Sequence, residues 1–367
     1  MDSHANKIDR FFLTMVGILT ILGFFIFLSA SLGLLAQSNV SFGTIAAKQA
    51  LSLVLGIIAF YVFSRIDNSW LRKSALFIFM GSIAVNLLLF IPALSIYHGG
   101  ASRWLSLGPV SLQPSELLKI AFIIYLAAWI YFAKDKIKTF KYGLLPYIVM
   151  MTILGILLLI QSDTDTLLII GGTGIVMLFI AGVPLKHITI ALLLMAAIVV
   201  GVVSMRPYAL KRVQTFFNKS SDTQGAGYQI NQSLIAIGSG QLSGRGFGQS
   251  IQKFGYLPQP TDDSIFAVAA EEFGFIGGVG LIIMYILFAS SIFRISTRSV
   301  DSFGAFVAIG VGILVITESF MNMAAMLGII PLSGVPLLFV SHGGTALIIT
   351  LAATGIVANI SKHRKQQ

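Results

Sequence analysis

Ten apolar stretches decide what this chain can fold into, because a helix that crosses a bilayer needs about 20 predominantly apolar residues. They run over 11–36, 45–64, 74–96, 116–133, 143–161, 166–184, 187–205, 265–293, 302–326 and 337–360. With their connections they use up the 367 residues, so the chain reads as a single all-α, polytopic membrane domain over 1–367. It should have about ten transmembrane helices and one long structured loop, 206–264. Composition agrees: 56% of residues are hydrophobic and 10% charged, against about 45–50% and 25% in soluble domains. The first stretch is longer than a signal-peptide core and lacks a small-residue cleavage site, so it is expected to stay as an anchor. Cysteine is absent, which excludes disulfides, thiolate metal sites and a cysteine nucleophile.

Lys and Arg in short loops orient such a chain. Lys7 and Arg10, then Arg65, Arg72 and Lys73, then Lys134, Lys136, Lys138 and Lys141, then Lys186, then Arg294 and Arg298, then Lys362, Arg364 and Lys365 fall at alternate ends of the stretches. Both termini are therefore expected in the cytoplasm. The net charge of +10 is then mostly a topology signal with some attraction to anionic membrane lipid, and a nucleic-acid partner is not expected.

The acidic residues fall toward the other face: Glu116, Asp163, Asp165, Asp222, Asp262, Asp263, Glu271, Glu272 and Glu318. An ionisable group at membrane depth is costly and marks a functional site by default. Three external segments carry most of them. In the first, Gly99-Gly100-Ala101-Ser102-Arg103-Trp104 leads through Gln113-Pro114-Ser115-Glu116 into a helix. Glu116 and Lys119 stand there at i,i+3, either as a helix start with an ion pair or as a ligand site. In the second, Gln161-Ser162-Asp163-Thr164-Asp165-Thr166 turns between two spans, and its acids either cap a helix or face a ligand.

The third is the 206–264 loop. It places Arg206, Lys211, Arg212, Lys219, Arg245 and Lys253 on the face where basic residues are otherwise sparse. They suit a phosphate-bearing ligand or lipid headgroups. Within it, Tyr228–Ile237 has helical apolar spacing and predicts a short helix lying on the membrane surface. The glycines at 238, 240, 244, 246 and 248 do not form a P-loop, since no Gly-Lys-Ser/Thr follows. Asp262 and Asp263 close the loop, either as a cap of the following helix or as a carboxylate that accepts a proton. A last turn, Gly328–Pro336 leading to Ser341-His342-Gly343-Gly344-Thr345, predicts a broken helix, which membranes tolerate only inside protein or along a cavity. His342 reads as a packed histidine, because no second metal-type ligand stands beside it.

These residues resemble the SEDS glycosyltransferases, the FtsW/RodA-like family, with wording closer to the FtsW type. The resemblance covers nearly the whole chain. It is carried by Tyr228-Gln229-Ile230-Asn231-Gln232-Ser233-Leu234-Ile235-Ala236-Ile237-Gly238-Ser239-Gly240, Gln252-Lys253-Phe254, Tyr256-Leu257-Pro258, Asp263, Ile265-Phe266-Ala267 and Glu271-Glu272. Arg103-Trp104, Gln113 to Glu116 with Lys119, Gln161 with Asp163, Pro331, Gly334, Pro336, Ser341, Gly343 and Gly344 add to it. The chain departs from the family at Ser162 and Asp165, where Pro and Gly are usual, and at Gln259, Asp262, Leu338 and His342.

The resemblance implies a bacterial cytoplasmic-membrane enzyme with an extracytoplasmic active face. It would polymerise lipid II, an undecaprenyl-diphosphate-linked disaccharide peptide, onto a growing glycan with inversion, during cell division or elongation. It implies Asp263 as catalytic base. Substrate would meet Arg103, Trp104, Gln113, Glu116, Lys119, Asp163, Arg212, Gln232, Lys253 and Ser341. A divalent cation, Mg or Mn, is a candidate cofactor with Glu116 and Asp163 as candidate ligands, and no organic cofactor is expected. A class B penicillin-binding protein is the expected partner. The rival classes are a lipid flippase or transporter and a non-catalytic division scaffold. A transporter with internal repeats would show paired broken helices in its two halves, whereas here one long loop belongs to one half only.

Overall fold

The computed structural model describes residues 7–36, 42–98, 101–107, 110–218, 225–342 and 344–363; Gly99, Gly100, Lys219, Asp222, Gly343, Arg364 and Lys365 lie outside them. Carboxylates start three of the helices at one end of the bundle. Asp9 accepts from the Phe12 N–H at 3.0 Å, Asp67 from Ser69 at 3.1 Å and Asp301 from Phe303 at 3.2 Å. Each satisfies an N–H that has no preceding turn to bond. They open α1 (Arg10–Ser31), α3 (Asn68–Leu87) and α11 (Ser302–Met326). The remaining apolar helices are α2 (Phe42–Phe63), α4 (Pro114–Ala133), α5 (Leu145–Ile160), α6 (Thr164–Ile180), α7 (Leu185–Met205), α10 (Ile265–Arg298) and α12 (Gly344–Ile360). Eight of these ten are long and apolar enough to cross a membrane, and α6 and α12 are shorter apolar helices. The ten match the ten stretches of the sequence, and the protein is a multi-pass membrane protein.

The centre is formed by α4, α6 and α11, with α10 packed on α11 and α1, while α2 lies along α12 and α7 stands at the periphery beside α6. Exposed Leu193 and Val200 on α7 and Ile57 and Ile58 on α2 are the surface that hydrocarbon covers, where apolar exposure costs nothing. Successive spans alternate in direction, so the described parts of the long loop, the turn at 161–163 and the 327–342 segment meet at the other end, called here the loop face.

Three features depart from plain helices. Residues before α4 form a small antiparallel sheet, β1 (Ser95–His98), β2 (Ala101–Leu107) and β3 (Val110–Leu112), in the order β1-β2-β3 with Ile96 opposite Trp104 and Leu105 opposite Leu112. The apolar/polar alternation of Leu105-Ser106-Leu107 and Val110-Ser111-Leu112 suits a strand pair with one buried face, and Leu105 is buried. The long loop holds α8 (Pro207–Phe217) and α9 (Ala226–Ser239). Helix α9 does not lie free on the surface: Ile230, Ser233 and Ala236 are buried, against α10 and its neighbours.

The stretch expected as one helix over 265–293 is interrupted at Gly274, whose φ of 67° and ψ of −165° leave the helical region. Glycine alone adopts this pair without strain. The break frees backbone groups that the bilayer could not satisfy, and the glycine-rich loop takes them. Arg245 N and Gly246 N donate to Glu271 O and Glu272 O at 3.0 and 2.9 Å, and Phe275 N and Ile276 N donate to Gln241 O and Leu242 O at 2.8 and 3.1 Å. Gly244, at φ 82°, passes so close to Glu272 O that a side chain there would clash with it. The glycines thus serve a backbone splice.

Candidate active site

The splice delivers the chain to Thr261-Asp262-Asp263, and three consecutive carbonyls there are anchored. His342 N donates to Thr261 O at 2.7 Å, Ser341 Oγ to Asp262 O at 2.7 Å, and Asn322 Nδ2 to Asp263 O at 2.7 Å. Asn322 also donates to Val335 O at 2.8 Å, and Ser341 accepts from Leu337 N at 2.8 Å. Ser341 and His342 come from the 331–342 segment, which is non-helical although Leu337, Leu338, Phe339 and Val340 are buried. This is the broken helix that the prolines and glycines predict. His342 stacks its ring on Phe27 at 5.3 Å but is otherwise exposed, so it is less enclosed than the packed histidine expected.

The backbone is held but the acids are not. Among the described residues neither Asp262 nor Asp263 makes a side-chain hydrogen bond or ion pair, and the N-cap of α10 is Ser264. Capping is therefore not their role. Burial pushes the Asp262 carboxyl up to about 7, with the charge of Asp263 adding to it. Burial also pushes Asp263 up to about 6; Arg212 and Arg103 pull it down and Asp165 pushes it up. Both lie in loop backbone, outside the spanning helices.

Gly334 brings the charges together. A Cβ there would sit 3.6 Å from Asp263 Oδ2, 3.7 Å from Arg212 Nη2 and 4.0 Å from Asp165 Oδ2. Its N–H donates to Asp165 Oδ2 at 3.3 Å, and Arg212 Nη1 lies 3.2 Å from the same oxygen. Arg103, on β2, donates to the Ser162 carbonyl. Ser162 has φ 57°, a value closed to proline, so this turn could not be built with a proline at that position. Gln229 on α9 reaches Ser264 Oγ at 2.9 Å. Trp104, Gln113 and Gln232 are partly exposed on β2, at the start of α4 and on α9.

Two predicted ligand cations sit elsewhere. Lys119 is 2% exposed and pairs with Glu116 at 2.9 Å and with Glu318 of α11. Lys253 is fully buried and uses all three ammonium donors, on Glu272 Oε1 at 2.7 Å, Gly248 O at 2.9 Å and Ser29 Oγ at 3.0 Å. An ammonium has three N–H donors, so none remains on Lys253 for a ligand, and the two lysines bind the fold together. Glu271 is likewise committed, to Ser250 Oγ at 2.5 Å and the N–H groups of Ile251 and Gln252 at 3.1 and 3.3 Å.

Asp163 caps α6, taking the Thr166 N–H at 3.4 Å, while its Oδ2 is buried without a partner. As a divalent-cation pair Asp163 and Glu116 do not fit. The Lys119 ammonium already occupies the carboxylate side of Glu116, and the described residues contain no cluster of three or more His, Cys, Asp or Glu. Asn322 was missed from sequence, although an amide one helical turn beyond Glu318 inside an apolar span was a visible signal.

Comparisons with known proteins agree with this architecture. The family described as "Cell cycle protein", FtsW/RodA/SpoVE, matches residues 9–366. The chain is 36% identical over 357 residues to "Probable peptidoglycan glycosyltransferase FtsW" of Geobacter sp. (strain M18), covering 97% of each. It is 34% identical over 320 residues to stage V sporulation protein E of Bacillus subtilis (strain 168), covering 87% of each. The fold resembles a chain of a peptidoglycan synthase complex solved for its coordination of polymerization and crosslinking, with TM-score 0.79 and 24% identity over 98% of this chain and 99% of that one. It also resembles the rod shape determining protein RodA of Thermus thermophilus, with TM-score 0.72 and 24% identity over 98% of each. A match over nearly the full length, joined to an architecture of ten apolar helices closing on one polar face, makes this chain a member of the FtsW/RodA/SpoVE family.

Proposed function

We propose that the protein is a peptidoglycan glycosyltransferase that polymerises lipid II into glycan strands, with Asp263 as the general base. The observation that carries the role of Asp263 is a half-buried carboxylate with no partner of its own, raised to about 6, beside two guanidinium groups. A group that must accept a proton needs an affinity near the working pH and an open oxygen. In the reaction the acceptor sugar hydroxyl attacks the anomeric carbon of the donor and gives its proton to Asp263. The bond from that carbon to the diphosphate oxygen breaks with inversion, and the lipid diphosphate leaves with its electron pair. Arg212 and Arg103 are the cations placed to meet the charge that builds on the diphosphate. No step is assigned to a metal ion, since Glu116 is paired with Lys119 and Asp163 caps α6.

The loop face is proposed to be extracytoplasmic and the termini cytoplasmic, on the alternation of basic loops. A reporter fused near Gly225 is expected outside. The growing glycan is the acceptor, and a class B penicillin-binding protein is the proposed partner. The structurally similar chain belongs to a complex that couples polymerization with crosslinking. Reconstitution of the purified protein with labelled lipid II tests the activity and its rivals together. Polymer is expected; translocation without polymer would establish a flippase, and neither would leave a scaffold.

A further inference from the structure

At the end of the bundle opposite Asp263, where α1 begins and α10 ends, lies a cavity of about 550 Å³ that the glycosyl-transfer chemistry does not use. Residues 275–298 of α10, beyond the break at Gly274, separate it from the loop face, about 36 Å at helical rise. Lys7, Arg10, Arg294 and Arg298 line it, and among the described residues its single carboxylate is Asp9. That carboxylate is committed to the cap of α1 and to Arg294, at 3.3 Å. Among the described residues Lys7, Arg10 and Arg298 have no ion pair, and the three side chains are exposed. Arg294 lies over the Phe11 ring at 5.1 Å; Phe11, in the lining, and Phe293, next to Arg294 in the chain, are exposed apolar side chains.

We propose that this cavity binds the phosphate headgroup of an anionic phospholipid, its acyl chains lying along Phe11 and Phe293. Basic pockets between transmembrane helices suit such headgroups, each cation near an anionic surface contributing to affinity. The guanidinium forks of Arg10 and Arg298 match phosphate oxygens, and Lys7 adds a point charge. The apolar flank has no use for a free ion, which argues for a headgroup carried on acyl chains. The site is independent of the catalytic assignment.

The test is native mass spectrometry of the full chain equilibrated with mixed micelles of phosphatidylglycerol and phosphatidylcholine. Wild type is expected to retain phosphatidylglycerol in preference. The triple variant Lys7→Gln/Arg10→Gln/Arg298→Gln should lose at least about tenfold of that retention, and Arg298→Gln alone a smaller share. Because these three side chains hold no ion pair, thermal unfolding should stay near wild type. A control variant, Lys134→Gln/Lys136→Gln/Lys138→Gln, removes three cations from the same end outside the cavity and should keep the lipid. Equal loss in both triple variants would reduce the effect to general surface charge and overturn the site. So would unchanged retention in the first, or displacement of the lipid from wild type by millimolar inorganic phosphate.

Discussion

Two charged regions meet near the loop face, and they handle charge in opposite ways. Around Lys119 and Lys253 every cation is closed against carboxylates: Glu116 and Glu318 for one, Glu272 with Ser29 and Gly248 for the other. Around Asp263 the backbone is fastened by Asn322, Ser341 and His342 while the carboxylates are left open, with Arg212 bound to Asp165 instead. Buried charges are tolerable when paired, and removing one partner is expensive. A half-buried acid left unpaired keeps a raised proton affinity, which is the condition acid–base chemistry needs. Residues of the same types therefore divide into those that hold the bundle and those that act. The difference lies in what each carboxylate touches.

The strongest way to break this comparison is to remove the open acid. Asp263→Asn keeps size and backbone anchoring, so folding should be retained while lipid II polymerisation falls by about 10²- to 10⁴-fold, the usual weight of a general base. Asp262→Asn should cost much less. Gel analysis of glycan strands from the purified variants reads both, and a reversed order would transfer the role to Asp262.

The closed region should fail differently. Lys119→Met leaves Glu116 and Glu318 buried without their cation and should destabilise the protein by about 3–5 kcal/mol. Thermal unfolding in detergent would show it, with partial recovery on adding Glu318→Gln. A stable Lys119→Met that binds donor poorly would instead return Lys119 to the ligand face. Asn322→Leu loses two hydrogen bonds that hold Asp263 O and Val335 O. It should lower kcat more than it raises KM, because the base moves while the substrate cations stay.

The smallest effect sharpens the assignment most. If Asp263 acts unprotonated, polymerisation should rise with pH through about 6 and then level, since protonation below that value removes the base. Asp165 raises the proton affinity of Asp263 and occupies Arg212. Asp165→Asn should therefore shift the rise to lower pH by a fraction of a unit to about one unit. A pH profile identical to wild type would show that Asp165 does not tune the base.

The membrane architecture was legible because a bilayer allows few solutions: some 20 apolar residues make a span, and ten such runs leave no room for another fold class. The prolines and glycines of 328–344 announced a broken helix for the same reason. The small sheet was missed because its strands are short and flanked by strong apolar runs. The break at Gly274 was missed because one glycine in an apolar helix gives no local sign that a loop thirty residues earlier will complete its hydrogen bonds. At the site, the residue types stood in the sequence but their partners did not. Lys119 and Arg212 look alike as external cations; Glu318, about two hundred residues away, closes one, and Asp165 and Gly334 set the other beside Asp263. Charge and hydropathy are properties of a residue and can be read along the chain. Whether a charge is paired is a property of a contact between distant segments, and only the packed helices decided it.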